Sequence, residues 1–517
     1  MNGFYGGKNT DALMRVYSGV KHTEISEEFI LPDFLPDIKR IIRADAMPRI
    51  DGKYVSGGKV EYNGDMACRM LFTDEGNSLH AVTFNMSFSD YLEIPAVNDE
   101  CIANLQPSPE SLACRTVNPR RISIRMRLDT EVTVWCVCQF RPELIGDYAS
   151  TTEVLNEEIG SLRLICAGEN GLNASADIEA DGALPQIGKV ISCDVGMCFY
   201  ECKPSEGRVL CRGEMPITVF YSSPTDDGEV YTVLFRKLPI AQVVDAEGAT
   251  EALDCNARGA VESVKVNVSE NGFGERRILE LDISYRIYLN CVGNQAVTVT
   301  KDIYACDKNV EVLTETKSFY RFVRNYSSSF SVNYISEAGE LGISDDQGII
   351  GTFARPRVES VVLDRSAGRL KIDGSAETGA LLNGEDGVAG IDYSVPFHIE
   401  LEASGVPEDF IFSSDAVCMG AKARVDTGKV YTDLEIQLNV MILGVEDVEV
   451  LTKAKFTDLD DTKADAAKAS MRLFYPAEGE TLWSIGKSFG VSRDRIAEVN
   501  GITEYSSLPD VLIIPTK

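Results

Sequence analysis

The chain has 517 residues, 44% of them apolar and 25% charged, which is ordinary for a soluble globular protein and long enough for three or four domains with a core each. Lys plus Arg number 50 against 80 Asp plus Glu, a formal charge of −30. That field repels phosphate backbones and anionic lipid, and so argues against nucleic-acid binding and electrostatic membrane docking. No segment approaches the roughly 18 unbroken apolar residues of a membrane helix.

The N-terminus, MNGFYGGKNTDALMRVYSGV, lacks a secretory apolar run and a small-residue cleavage site. The protein is expected to stay in the cytoplasm, with its 14 cysteines reduced. Cys193, Cys198, Cys202 and Cys211 come nearest to a metal cluster. They contain no C-x-x-C pair and have no neighbouring His, so buried apolar thiols are expected rather than zinc.

Further along, the chain repeats itself. LPDIKRII (Leu35 to Ile42) returns as LPQIGKVI 149 residues later, at Leu184 to Ile191. GGKVEYNGDM (Gly57 to Met66) returns as EGRVLCRGEM at Glu206 to Met215, and Gly213 again lies 149 residues after Gly64. A third copy, AGRLKIDGSA (Ala367 to Ala376), keeps the pattern G-[KR]-[VL]-x-x-x-G, with Gly374 161 residues after Gly213. Its upstream part, DDQGIIGTFARPRV, has lost the Leu-Pro signature, so this copy is degenerate at its start. LPDIKRII itself reads as either a helical turn or a strand.

Each copy closes in a long alternating strand. The apolar positions are Ile122, Ile124, Met126 and Leu128 in the first. They are Leu279, Leu281, Ile283, Tyr285, Ile287 and Leu289 in the second, and Leu434, Ile436, Leu438 and Val440 in the third. A period of two puts one face in a core and the other in water. With turns such as NGEDG (Asn383 to Gly387), the pattern predicts a mainly β protein. Three tandem antiparallel β-sandwich or barrel-like repeats are placed at 20–150, 165–307 and 315–456. TDLDDTKADAAKAS (457–470) reads as a flexible or partly helical linker.

Residues 471–517 form a separate small β-α-α-β unit. RLFY suits a strand. Thr481 is a helix N-cap, followed by the apolar stripe Leu482, Ile485 and Phe489 and stopped by Gly490. Ser492 caps a second helix carrying Ile496 and Val499. Val511 to Pro515 close the unit as a strand.

No catalytic constellation stands out. The three histidines, His22, His80 and His398, are not near a Cys or Ser in a nucleophile motif. NGFGE (Asn271 to Glu275) lacks the lysine and following helix of a phosphate loop. Carboxylates are abundant, and no spacing singles out a catalytic pair. The chain is expected not to be an enzyme and to need no metal or cofactor.

The C-terminal motifs G-E-T-L-W-S-I, F-G-V-S, N-G-I and I-I-P resemble the LysM domain along the whole unit. Glu480 stands where that family usually has Asp, and Pro509-Asp510 where it usually has Pro-Gly. The resemblance implies a shallow groove for N-acetylglucosamine-containing glycan. Its first wall would be Gly479, Glu480, Thr481 and Leu482, and its second Asn500, Gly501, Ile502 and Thr503. Leu482 and Ile502 would contact the acetamide methyl. The plainer reading of Leu482, Trp483 and Ile485 is that they build the LysM fold.

Three β repeats followed by one LysM resemble the SipL-like spore-coat morphogenetic proteins of clostridia, the repeats corresponding to SPOCS domains. The resemblance implies a scaffold in endospore formation, inside the mother cell at the forespore surface. There the LysM would dock to the self-polymerising ATPase of the coat basement layer, or to glycan-bearing wall precursors, and the repeats would recruit coat proteins. The alternative is a wall-associated protein that binds peptidoglycan or chitin-type glycan.

Overall fold

In the computed structural model the same unit occurs three times, with six strands in the first and third copies and seven in the second, where two short strands together replace one. The structure describes residues 9–147, 151–226, 228–344, 347–384, 387–459, 471–503 and 508–515, with backbone alone at 165–169. The first unit is β1 (Asp11–Ile30), β2 (Arg40–Ser56), β3 (Lys59–Thr73), β4 (Leu79–Glu93), β5 (Ile102–Asn118) and β6 (Arg121–Gln139). Its outer strands make one sheet, ordered β1-β6-β5, and its inner strands another, β2-β3-β4.

After a short strand β7 (Glu143–Ile145) the second unit follows: β8 (Thr152–Glu179), β9 (Lys189–Val195), β10 (Cys198–Ser205), β11 (Arg208–Thr225), β12 (Gly228–Asp245), β13 (Asp254–Glu270) and β14 (Arg276–Ala305). Its sheets are β8-β14-β13 and β10-β11-β12, with β9 also on β11. The third unit is β15 (Lys308–Glu337), β16 (Gly348–Asp364), β17 (Arg369–Gly384), β18 (Gly387–Glu402), β19 (Phe410–Asp426) and β20 (Lys429–Asp458). Its sheets are β15-β20-β19 and β16-β17-β18. The two sheets of each unit stay separate ladders and pack face to face, so the units are sandwiches rather than closed barrels. The predicted inward positions of β6, β14 and β20 are at most 3% exposed.

The expected boundaries cut through strands. Residues 151–164 and 308–314 were placed between repeats, but 152–164 are the start of β8 and 308–314 the start of β15. Thr457 and Asp458 of the expected linker complete β20. The linker's remainder, residues 460–470, and residues 385–386 of the NGEDG turn lie outside the described residues.

The glycine motif is a folding device. Its first glycine is Gly58, Gly207 or Gly368, with φ of 79°, 72° and 63°, a region that favours glycine. It turns the second strand into the third and also grips the connection from fourth to fifth. Gly58 N donates to Val97 O, Gly207 N to Ala249 O, and the Gly368 carbonyl accepts from Ala403 N. Val60, Val209 and Leu370 then point into the core, each 0% exposed. The last glycine, Gly64, Gly213 or Gly374, faces a β-bulge, where a Cβ would overlap the carbonyl oxygen of Arg49, Cys198 or Arg357.

The LP-x-I stretch, readable as helical turn or strand, is a turn leading into a strand. Leu35 N donates to Pro32 O (3.0 Å) and Leu184 N to Asp181 O (2.9 Å), which closes the turn. Ile38 and Ile187 then anchor it in the core. An arginine at or just past the turn between the last two strands clamps it. Arg120 donates to the carbonyls of Leu31, Pro32 and Leu35, and Arg277 to those of Asp181 and Leu184. In the third unit Thr427-Gly428 form that turn, and Ala338 N donates to Gly428 O. Leu-Pro and its arginine are thus lost together. The start that reads as degenerate still forms β16.

The three units meet around one axis. Leu71, Phe220 and Leu381 carry the same 149- and 161-residue offsets as the motifs, and they share one buried cluster with Leu79, Ile191 and Val388. A second cluster joins Leu13, Leu162 and Tyr320 to Trp135, Val292 and Leu443. These are again equivalent sets: Leu13, Leu162 and Tyr320 pair with Val137, Asn294 and Val445, each two residues beyond Trp135, Val292 and Leu443. Equivalent residues converge in this way around a pseudo-three-fold axis. β7 adds a parallel stitch to β20, joining the first unit to the third.

Arg69 bridges the first two units, donating to Asp45 (2.6 Å) and contacting Asp194 (2.6 Å), with all three side chains largely buried. Burial pushes the Asp194 carboxyl above its usual range against the pull of Arg69. Two cysteine pairs, Cys101–Cys136 and Cys255–Cys291, are disulfide-bonded, where the composition led to reduced thiols throughout. Cys255 and Cys291 face each other on β13 and β14, and Cys101 immediately precedes β5 beside Cys136 of β6. Cys193 and Cys198 are free, and burial pushes each thiol up to about 12.

Arg69→Ala should leave two carboxylates without their partner and lower unfolding stability by about 3–5 kcal/mol, read as an earlier urea midpoint. Gly213→Ala should also destabilise, by about 2 kcal/mol or more, because the bulged backbone must move. An unchanged midpoint in either variant contradicts the geometry described.

Candidate functional site

The C-terminal unit builds its frame from four short elements: β21 (Met471–Phe474), α1 (Leu482–Phe489), α2 (Arg493–Asn500) and β22 (Leu512–Pro515), with β21 antiparallel to β22. Thr481 caps α1 in a reciprocal box with Ser484, and Gly490 ends it at φ 62°. Ser492 caps α2, and Gly501 ends it at φ 63°. Leu482, Ile485, Val491, Ile496, Ala497, Leu512 and Ile514 form the core, with Phe489 packed on it. Val499, expected on the buried side of α2, is 45% exposed.

The structure divides the eight predicted groove residues into two kinds. Gly479, Thr481, Gly501 and Thr503 are exposed. Leu482 is 2% exposed inside the core, and Ile502 packs against that core, so the two predicted walls adjoin at these side chains. Glu480 folds back to accept from Ala477 N at 2.8 Å. Asn500 is fully engaged: its amide donates to the carbonyls of Ile496 and Ile513, and its oxygen accepts from Ile513 N. It ties α2 to β22. The exposed part of the predicted groove is therefore backbone and threonine, beside the helix N-terminus at Thr481.

A second set of residues seats the unit on the β repeats. Trp483 Nε1 donates to Asp302 Oδ2 at 2.9 Å, and Lys487 Nζ reaches both Asp302 oxygens at 2.7 Å. Arg493 pairs with Glu153 at 3.2 Å and lies over the Trp483 ring, 4.9 Å from its centroid. Tyr304 stands edge-on to Trp483 and donates to Val491 O at 2.9 Å. Burial pushes the Tyr304 phenol above its usual range and keeps it a donor. Trp483 thus faces the second unit, not the interior of its own. Its place off the Leu482, Ile485, Phe489 stripe was the available signal. Asp302, Tyr304 and Glu153 had none in sequence.

A cleft of about 390 Å³ lies between the first and third units, lined by residues that include Arg43, Glu110, Arg355, Glu377, Asp392 and Tyr393. Arg43 is already paired with Asp392, and Asp45 at its edge with Arg69. The three histidines are elsewhere, each bonded to an aspartate: His22 to Asp129, His80 to Asp74 and His398 to Asp373. Among the described residues, no helix is long and apolar enough to cross a membrane.

Comparison with known families places two of these parts. Residues 37–117 and 186–269 match the SipL, SPOCS domain family, and residues 477–509 match the LysM domain. The chain is therefore SipL-like in domain content: two SPOCS domains followed by a C-terminal LysM domain. SPOCS and LysM are non-catalytic, binding-type domains. Together they fit a sporulation, coat-related protein, and the LysM supports binding of N-acetylglucosamine-type glycan. The matched segments span the second to fifth strands of the first two units, the two that keep the arginine clamp. Searches of curated proteins and of solved structures find no match.

Asn500→Ala removes three hydrogen bonds from a small core. It should destabilise the LysM unit by about 2–4 kcal/mol and release its fold before the β repeats in a urea titration followed by NMR. Retention of the LysM resonances up to the main transition would contradict the structural role assigned to Asn500.

Proposed function

We propose that the protein is a non-enzymatic scaffold of endospore coat assembly. It works in the mother-cell cytoplasm at the forespore surface. Its LysM docks to the morphogenetic ATPase of the coat basement layer, and its β units recruit coat proteins. The observation that carries this reading is the union of two SPOCS domains and a LysM in one chain, with every motif of the repeats spent on folding. Gly58, Gly64, Ile38 and Arg120 and their counterparts hold turns and bulges, which leaves broad strand faces as the working surface. Several modest contacts on one chain then bind with an avidity that no single contact has.

A second reading keeps the LysM as a glycan binder at the wall. The exposed mouth at Gly479, Thr481, Gly501 and Thr503 favours it, since backbone groups beside a helix N-terminus suit an acetamide.

A fluorescent fusion in sporulating cells separates the two. With the LysM intact the scaffold reading expects a ring around the forespore, lost on deletion of 471–517 and weakened by Thr503→Arg, which fills the mouth from an exposed position. Signal at the vegetative wall or in the medium would overturn it in favour of the glycan reading.

A further inference from the structure

The LysM leaves the third unit at the end of β20, yet it sits on the second. The two seats differ in charge at the position of Asp302. Asp302 and Tyr304 lie near the end of β14, 10 and 12 residues beyond Val292. The equivalent residues of β20, at the same distances beyond Leu443, are Lys453 and Lys455. Both strands carry a bulge at this level, between Thr300 and Asp302 and opposite Leu313 and Thr314. Lys453 is occupied with Glu143 of β7. A module presenting Lys487 and Arg493 meets Asp302 on β14 and Glu153 on β8, whereas on the third unit Glu311, the counterpart of Glu153, is paired with Lys455 and an ammonium stands where Asp302 does. Like charges brought together in this way are a device for rejecting the wrong partner.

We propose that Glu153, Asp302 and Tyr304 are positioning residues for the LysM groove, and that they seat the module on the second SPOCS unit in a single orientation. Three kinds of contact converge there: the indole donating to Asp302, the two ion pairs, and the Tyr304 hydroxyl on Val491 O. The fit also needs Gly486, where a Cβ would overlap the Tyr304 hydroxyl. The seat takes up Trp483, Lys487 and Arg493, while Gly479, Thr481, Gly501 and Thr503 stay exposed in the complete chain. Whatever binds the groove therefore meets it at a set distance from the β faces. This inference rests on the reading of the groove as the ligand surface only for its consequence, not for the seat itself.

The test uses the full-length chain. Its two tryptophans are Trp135 and Trp483, so Trp135→Phe leaves Trp483 as the sole reporter while keeping an aromatic in the hub. In that background acrylamide should quench Trp483 weakly. Asp302→Lys should raise quenching several-fold and shift the emission to the red. Glu153→Arg should raise it as well, and adding Arg493→Glu to that variant should restore protection. Circular dichroism and the urea midpoint report whether the β units are intact. If a variant disturbs them, the Glu153 and Arg493 exchange decides alone. Quenching as strong as that of a free indole in the parent chain would overturn the proposal. So would quenching that ignores Asp302→Lys, or an exchange that restores nothing. None of these readouts involves glycan, ATPase or cell location, so their failure is separable from failure of the proposed function.

Discussion

The structure depends on one convergence: equivalent apolar residues of three sandwiches buried against each other. Leu71, Phe220 and Leu381 at one level and Leu13, Leu162 and Tyr320 at another each belong to strands already committed to their own cores. Burial at about 25 cal/mol per Å² favours closing these surfaces together over leaving them wet. This is why β1, β8 and β15 are long. Their first halves serve the hub and their second halves the sandwich. Polar bridges such as Arg69 between Asp45 and Asp194 add register to a contact whose strength is apolar.

A fixed hub sets how the proposed scaffold would meet its partners. Beads on flexible connectors would search for partners independently. Three units around one axis present their outer strands in a set arrangement, and the LysM, seated through Trp483 and Asp302, joins that arrangement. The two units that keep the Leu-Pro turn and its arginine are the ones matched as SPOCS domains. The third unit, which has exchanged both, uses its lysines to stitch β7 and carries the connection to the LysM.

Much of this was legible in the sequence. The repeat offsets, the inward residues of β6, β14 and β20, and the caps Thr481, Gly490 and Ser492 all follow from local rules that act within one strand or turn. What escaped was long-range. The expected boundaries fall inside strands because residues 152–164 and 308–314 continue the ladders of β8 with β14 and of β15 with β20, and alternation alone does not reveal how far a strand's partner extends. The cysteine pairs escaped because cross-strand register decides them. Of the eight predicted groove residues, the glycines and threonines are exposed. Leu482 and Asn500 turned out to hold the fold, since a motif does not separate a residue that binds from one that builds. Trp483 reads as a builder of its own module because its partner, Asp302, lies 181 residues away.

Small-angle X-ray scattering of the full-length protein in solution tests the central claim most directly. Three sandwiches on one hub with a seated LysM should give a radius of gyration near that of a compact chain of this length, about 24–27 Å, and a single globular peak in the normalised Kratky plot. A radius above about 35 Å, with the slowly decaying plot of separately moving bodies, would contradict the hub.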